Sequence, residues 1–564
     1  MRGRAAGALL AYLALSVWLT WPLAAHLRTH LPDTHDACRY DLPFTGWMYA
    51  WESHVLTTAP ARFADANIYH PTPHPLFYGP TAIGALPYFA PTYLASGDPA
   101  LALNVLLLGS VALTAWVLHL VVLEWTGSSL AGFIAAFTWL TNRWVLWEFV
   151  PTAPCYGVLL YFPLIMRATA VPAARFRTAL RVLPLLVLQE LVHFGYVAPA
   201  TLGPPAALGI VRAIRPSTRA AGLRLLGVVG LAALFLVPEY LGYGVVQREN
   251  PHLVEQTLWR GLAQPQTDLP WGLLDFQSPT AITPAALLLI AVGAVSLLVA
   301  RNRPGDTRRA WSQGAWWAVV GTLMSLTPTV RWFGEPVRQP LAWVIDWVPL
   351  LGRIRVPARL GLAGFMGLAV LAGLAFAECT RRLPAGLRAR PLARVAFAAV
   401  VALGMYHGYA RGYGRPVYLR KPLPSSYPIA PAILDSPITR RLREPGGPLL
   451  DLPVGPGGVL PMWHTRAMYR STFHWRPLLN GYDSYWPEAF PGRMALAARL
   501  PDADALAALR ADTGLAAILV HLGELNDAER TAWQGVLAGG RADLRLDVRD
   551  GDDLLFAVAG PAAP

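Results

Sequence analysis

The chain has 564 residues, of which 54% are hydrophobic and only 14% charged, and its 47 Lys+Arg against 34 Asp+Glu leave a net charge of +13. A soluble domain carries about 25% charged residues, so this sequence lacks the polar surface to cover a water-soluble body of its size. Its arginines fall in short clusters between apolar blocks, without the basic stripe or aromatic platform of a nucleic-acid binder, which excludes nucleic acid as a partner.

Arg2 and Arg4 precede an apolar run that reaches about Ala25. It is long for a secretory signal and no small-residue cleavage site follows, so it reads as an uncleaved first helix. A loop from His26 to Pro80 comes next. Segments of bilayer-spanning length then recur at 100–123, 128–147, 154–170, 182–197, 199–213, 224–245, 281–300, 312–330, 355–377 and 392–409. The segment 81–96 is shorter and holds Pro87 and Pro91; it reads equally as a crossing or as a re-entrant arm.

Four links are rich in arginine: Arg167 to Arg181, Arg212 to Arg224, Arg301 to Arg309 and Arg381 to Arg394. The positive-inside rule puts all four, and the N-terminus, in the cytoplasm. The loop 26–80 and everything after about Tyr409 then face outside. Beyond Arg411 the composition gains acid, and the apolar runs shrink to strand length. Leu449 to Val454, Ala516 to His521 and Leu554 to Val558 read as strands. Asp502 to Asp512 and Glu524 to Leu537 read as helices, N-capped by Asp502 and Asn526. A proline-rich linker covers Pro416 to Pro437. The expected fold is an all-α polytopic membrane protein of about 11 to 13 spanning helices, residues 1–410, followed by a small extracytoplasmic α/β domain, residues 411–564. No internal repeat is present.

Cys38, Cys155 and Cys379 are far apart and form neither a zinc motif nor a disulfide framework. No phosphate-binding Gly-rich loop, Ser/His/Asp set or HExxH motif occurs. The residues that suit chemistry lie in the first loop, which contains DTHDACRYDLPFTGWMYAWESHV and DANIYHP. Asp33, Asp36 and Asp41 follow the first helix closely; Trp47, Tyr49, Trp51 and His54 lie on what reads as an amphipathic interfacial helix; Asp65 comes after it. Carboxylates beside headgroup-seeking aromatics suit an enzyme acting on a lipid-borne substrate, one as general base and another orienting substrate or holding a divalent metal, Mg or Mn. Loop aspartates also serve as caps and turn formers.

Arg353, Arg355 and Arg359, in GRIRVPARLG, lie on the outer side, as do Arg248, Arg260, Arg331 and Arg338. Guanidinium groups there suit a phosphate, and equally the loop aspartates or lipid headgroups. Glu190, His193 and Glu239 fall in or at the ends of apolar segments and are functional candidates by default; Glu190 and His193, at i and i+3, also read as a self-satisfying pair. The tail motif STFHWRPLLNGYDSYWP brings together His474, Trp475, Arg476, Asn480, Tyr482 and Trp486, a set that suits either a sugar or a domain core.

The first loop, DANIYHP, LASGDPALALNVLLL, GRIRVPARLG and STFHWRPLLNGY, in this order, resemble a group of large bacterial polytopic proteins of the C-type glycosyltransferase (GT-C) superfamily. The resemblance runs in pieces along nearly the whole chain. It implies transfer of a sugar from a polyprenyl-phosphate donor to a glycan, lipid or protein acceptor at the outer face of the bacterial inner membrane. It matches Asp41 to the family's loop aspartate, through the D-x5-W spacing to Trp47, and Asp65 to the aspartate of a DANIFYP-like segment. The residues before Asp41 depart from the family's Gly-Asp pair, so Asp36 stays beside Asp41 as a base. On this reading Asp65 supports the site or a metal, while Arg353, Arg355, Arg359 and Arg248 hold the donor phosphate and His54 and Glu239 face substrate. A transporter or flippase working through Glu190, His193 and Glu239, or a non-catalytic envelope scaffold, are the alternatives.

Overall fold

In the computed structural model the described residues are 2–32, 40–142, 144–148, 150, 153–251, 268–269, 282–299, 305–326, 329–332, 335–338, 356–411, 426–428, 435–458 and 461–559. Asp33, Asp36, Arg353, Arg355, Arg260 and most of the expected linker lie outside them. Among the described residues, five helical stretches are long and apolar enough to cross a bilayer: Pro99–Thr126, Val197–Ile214, Pro216–Glu249, Pro357–Arg382 and Pro391–Ala410.

The helices run in chain order as α1 (Arg2–Leu19), α2 (Asp41–Thr58), α3 (Leu86–Ser96), α4 (Pro99–Thr126), α5 (Ser129–Leu140), α6 (Tyr161–Thr169), α7 (Phe176–Ala179), α8 (Leu183–Glu190), α9 (Val197–Ile214), α10 (Arg219–Ala233) and α11 (Val237–Glu249). The helices Pro284–Val299, Gly305–Ser325, Gly361–Arg382 and Pro391–Arg411 complete the bundle. At its centre stands Gly361–Arg382, the most deeply buried of the spans. With lipid on the far side there is no hydrophobic drive between helices, and small residues let backbones close up instead. A Cβ on Gly321 would fall into the backbone of Gly364, and one on Gly367 into that of Ala318.

Two expected spans, 154–170 and 182–197, are much shorter as helices, and so is the segment 81–96, which the sequence leaves open between a crossing and a re-entrant arm. The segment 81–96 gives only the 11-residue α3, which Gly97 ends in the left-handed conformation. Segments 154–170 and 182–197 give α6, with 9 residues, and α8, with 8. At 1.5 Å per residue these rise about 12 to 16 Å, roughly half a hydrocarbon core. Pro154, the polar pair Gln189–Glu190 and Gly195 break the apolar runs, and side chains cover the freed backbone: Gln189 accepts from the Tyr161 amide at 3.2 Å and donates to the Val158 carbonyl at 2.7 Å.

The arginine-rich links hold one another. Arg167 pairs with Glu124 at 2.9 Å, Arg212 donates to the Thr169 carbonyl, Arg224 to that of Ala173 and Arg382 to that of Ser296.

After the bundle, a four-stranded sheet is built from Leu449–Leu452, Ala517–His521, Asp553–Val558 and Leu544–Asp550, in that spatial order, with the first pair parallel and the others antiparallel. The expected helices are Ala503–Thr513 and Asp527–Gly539. Asp502 caps the first through the Ala505 amide, and Asn526 forms a reciprocal capping box with Glu529 on the second. The strand Leu544–Asp550 was not expected: it is an edge strand, and Gly551, at φ 62°, turns it back into Asp553–Val558.

This sheet domain packs against the first loop. His30–Pro32 pairs antiparallel with Ser426–Pro428. The helix Pro461–Ser471 covers α2, with the Tyr469 ring lying against Gly46. Most of α2 is therefore buried, which corrects the expectation of an amphipathic helix on the membrane surface: its aromatics face protein. Asn67 joins the two parts. It accepts from the Trp47 indole at 3.0 Å, donates to the Ser471 hydroxyl at 3.0 Å and the Arg476 carbonyl at 3.1 Å, and its carbonyl takes the Leu478 amide at 2.8 Å.

Asn67→Ala leaves the Trp47 indole N–H and the Arg476 carbonyl buried without a partner, at about 1 to 3 kcal/mol each. We expect a lower thermal midpoint in nanodiscs and faster proteolysis at 70–80 and 474–485. An unchanged midpoint and cleavage pattern would show that docking does not depend on Asn67.

Candidate functional site

Asp41 is the first residue of α2 and is half-buried. The Tyr482 hydroxyl, from the sheet domain, donates to its Oδ1 at 3.1 Å. Burial, and then the Asp41 carboxylate, push the Tyr482 phenol far above its ordinary range, so it keeps its proton and acts as donor. The Arg359 guanidinium stacks over the Tyr196 ring at 4.7 Å and lies within electrostatic reach of Tyr156 and Asp41. Two interruptions of the bundle supply these tyrosines. Tyr156 sits in the 3-10 turn Pro154–Gly157, and Tyr196 immediately precedes α9.

Tyr196 also lines a cavity of about 510 Å³. Tyr240, Tyr243, Gln247 and Arg248 of α11 form one wall, and Ser484 and Tyr485 of the sheet domain close another. Aromatic faces with amide, hydroxyl and guanidinium groups suit a polar, phosphate-bearing or sugar-bearing ligand.

Behind this wall two carboxyls converge on adjacent residues of the loop. The Ala82 amide donates to Glu52 Oε1 at 3.0 Å, and the Thr81 hydroxyl donates to Glu239 at 2.5 Å. Glu52 is fully buried and its Oε2 has no hydrogen-bond partner among the described residues. Burial, reinforced by Glu239 and opposed by the Ala82 amide, pushes it up to about 8. The Tyr243 hydroxyl donates to the Gly79 carbonyl, and Asp483 packs against Gly79. Residues 79–82 are thus clamped between α2, α11 and the sheet domain.

The structure brings Asp41 and Arg359 together and puts Arg248 in the cavity; it distributes the other candidates differently. Asp65 is half-exposed with its carboxylate 3.5 Å from His74, and no contact among the described residues links it to Asp41 or Arg359. Among the described residues no group of three or more His, Cys, Asp or Glu is placed to hold a metal ion, so those residues do not fit the Mg or Mn considered for Asp65. His54 stacks on Trp475 at 4.6 Å and 15°, on the docking face rather than in the cavity. Glu239 stands behind the wall, on Thr81. Glu190 and His193 do not satisfy each other: both Glu190 oxygens and His193 Nδ1 lack partners, because α8 stops at Glu190 and the helical i, i+3 spacing is lost. His193 instead packs between Tyr156 and Tyr196 at 5.0 and 5.3 Å. Arg331 and Arg338 fall on the hairpin Thr329–Trp332 with Glu335–Arg338.

Glu52, Asn67, Tyr156 and Tyr196 were not singled out from the sequence. A lone acid in the run GWMYAWESHV was a signal for Glu52, since a charge on a buried face needs a reason. Tyr156 and Tyr196 carry no such signal in their local sequence.

The fold is similar to that of one solved membrane glycosyltransferase, and two others align less well. The mycobacterial arabinofuranosyltransferase AftD superposes with a TM-score of 0.52 at 16% identity over 100% of this chain. The chain spans 40% of the length of that protein. ArnT from Cupriavidus metallidurans, solved with undecaprenyl phosphate, aligns over 99% of both chains at 14% identity and a TM-score of 0.48. The Archaeoglobus fulgidus oligosaccharyltransferase, solved with Zn and sulfate, aligns over 91% of this chain and 68% of its own at 13% identity and 0.37. No family model and no curated protein sequence matches. At this identity the likeness to AftD is one of overall fold.

Glu52 binds its proton more tightly folded than unfolded. Its contribution to stability is fully present below the ordinary value of 4.5 and is lost as pH rises through about 8. Glu52→Gln, a permanently neutral substitute, is expected to match the parent's thermal midpoint at pH 5 and exceed it at pH 9. The gap should approach a ceiling of about 4 kcal/mol. A constant difference across that range would mean that Glu52 does not titrate in this window.

Proposed function

We propose that the protein is a membrane glycosyltransferase that moves a sugar from a polyprenyl-phosphate-linked donor to an acceptor at the outer face of the bacterial inner membrane. The observation that carries this reading is Asp41, held by Tyr482 and faced by Arg359, beside the aromatic cavity that contains Arg248. The shared fold with an arabinofuranosyltransferase supports it as an analogy.

In a direct displacement Asp41 takes the proton of the acceptor hydroxyl as its oxygen attacks the anomeric carbon. The bond from that carbon to the phosphate oxygen breaks, and polyprenyl phosphate leaves with the electron pair. Arg359 and Arg248 meet the charge that develops on the phosphate, joined by Arg353 and Arg355 of the same outer stretch. One displacement inverts the anomeric centre. Asp36 is the competing base in the same loop.

The same proposal includes the topology. About 11 to 13 crossings, the short apolar helices included, put the arginine-rich links and the N-terminus in the cytoplasm. The first loop and the domain beyond residue 411, which pack on each other, then lie outside together.

Two measurements test this. Proteoliposomes holding the full chain are offered a panel of polyprenyl-phosphoryl sugars, and release of polyprenyl phosphate is followed. We expect turnover of at least one donor, falling about 10²–10⁴-fold in Asp41→Asn with folding retained. Full turnover in Asp41→Asn and loss in Asp36→Asn would move the base to Asp36; full turnover in both would remove the loop carboxylates as the base, and release from no donor by the parent would remove the enzyme reading.

The second uses polyprenyl phosphate alone. Arg248→Ala should weaken its binding roughly tenfold or more, as expected for a lost charge-assisted hydrogen bond, while Arg388→Ala, in an arginine-rich link, should bind as the parent does. Equal affinities in the two variants would remove the cavity as the phosphate site.

A further inference from the structure

Tyr482 reaches Asp41 from 441 positions along the chain, and everything around it fixes where its hydroxyl points. Its ring sits edge-on between Tyr40 and Phe44, at 5.4 and 5.5 Å with interplanar angles of 78° and 90°; these two residues flank Asp41 at the head of α2. Two positions earlier, the Asn480 side chain accepts the Asp451 amide at 2.8 Å and donates to the Asp451 carbonyl at 2.9 Å, tying the segment to the first strand of the sheet. The Asn480 carbonyl takes the Tyr69 amide at 3.0 Å. Three positions later, the Tyr485 amide donates to the Tyr78 carbonyl at 3.2 Å, and the Tyr69 hydroxyl to the Tyr485 carbonyl at 3.2 Å. The phenol is therefore pinned on both sides by contacts between the sheet domain and the first loop.

We propose that Tyr482 is a positioning residue of the transfer site, fixing the Asp41 carboxylate so that the C-terminal domain is an integral part of that site rather than an appended module. This rests on the reading of Asp41 as the base. A carboxylate anchored through one oxygen presents the other at a fixed angle, and orientation within a fraction of an ångström decides how often an acceptor hydroxyl meets it productively. Among the described residues, Arg359 from the start of the central helix and Tyr482 from the sheet domain interact with Asp41, while Tyr40 and Asp483 lie near Tyr482. The Tyr482 hydrogen bond and the Arg359 charge both favour the carboxylate form. Removing the hydroxyl leaves Arg359 in place, so the site is weakened and its pH response moves upward.

Tyr482→Phe keeps the ring and its two edge contacts and deletes only the donor. Carbodiimide reacts with the protonated carboxyl, so labelling of Asp41 as a function of pH, read by peptide mass spectrometry on the full chain in proteoliposomes, follows the carboxylate without any substrate. We expect the labelling midpoint to rise by about one to two pH units. The acid limb of turnover should move with it, and kcat should fall about tenfold at an unchanged KM. A midpoint identical to the parent's overturns the positioning role whatever happens to turnover. Full turnover in Asp41→Asn overturns the base reading and, with it, the catalytic consequence of the contact; a moved midpoint in Tyr482→Phe then still separates that failure from an absent contact.

Discussion

The site depends on one docking event, the seating of residues 474–485 on the first loop. It is made of backbone hydrogen bonds that run both ways: the Leu478 amide to the Asn67 carbonyl, the His70 amide to the Leu478 carbonyl and the Tyr69 amide to the Asn480 carbonyl. These are the bonds of a short added strand, and they set a register. A slip of one residue would turn Tyr482 away from Asp41 and Asp483 away from Gly79. Asn67 fills the junction with side-chain bonds, and the His54–Trp475 stack guards its edge. Without the tail the Asn67 side-chain amide loses its partners on Ser471 and Arg476, and its carbonyl loses the Leu478 amide.

The sheet domain is in turn made rigid by buried charge. Asp451, on its first strand, lies 3.2 Å from Arg470 and 3.4 Å from His521; Arg470 also meets Glu524 at 2.6 Å, and His521 meets Asp553 at 2.6 Å. Burial alone would push Asp451 up, but Arg470 and His521 outweigh it and hold the carboxyl below its ordinary range. Such a network stabilises little against an apolar core of the same shape, yet breaking one member leaves an uncompensated buried charge. Its effect is to fix the helix Pro461–Ser471, which carries Arg470, against the strand that anchors Asn480. That helix is the same one that covers α2. The position of Asp41 is therefore set by charges in a different part of the chain.

What was legible in the sequence follows from how local each signal is. Apolar length and arginine-rich links point to a membrane bundle. The caps at Asp502 and Asn526 were readable because a cap is decided within four residues. Segments 154–170 and 182–197 read as full spans because their apolar content is right, whereas helix length there is set by proline, glycine and polar residues that find partners only in the folded bundle. The helix α2 read as interfacial because Trp47, Tyr49, Trp51 and His54 follow the loop aspartates and suit a headgroup region; the surface that buries it begins some 400 residues later, and no periodicity reports that. Asp41 and Arg359 were singled out by residue type and position, but the contact through which Tyr482 joins them is tertiary.

The polar groups of the site share one placement: each stands at an end or a break of an element. Asp41 opens α2, Arg359 lies in the turn that begins the central helix, Tyr156 occupies a 3-10 turn, and Tyr196 precedes α9. A bilayer-spanning helix has its backbone satisfied internally and its surface committed to lipid or to close packing, as at Gly321 and Gly364. Only where helices start or stop do unpaired backbone groups and room for a charged side chain coincide. The short helices α6 and α8 supply such ends inside the apolar sequence, beside Tyr156 and Tyr196. A bundle of uninterrupted spans would hold Arg359 with nothing to set its guanidinium plane. Here the Tyr196 ring stacks on it at 4.7 Å, with Tyr156 and Asp41 within electrostatic reach. The broken helices are thus the part of the membrane module that makes room for polar chemistry, and the docked tail closes it.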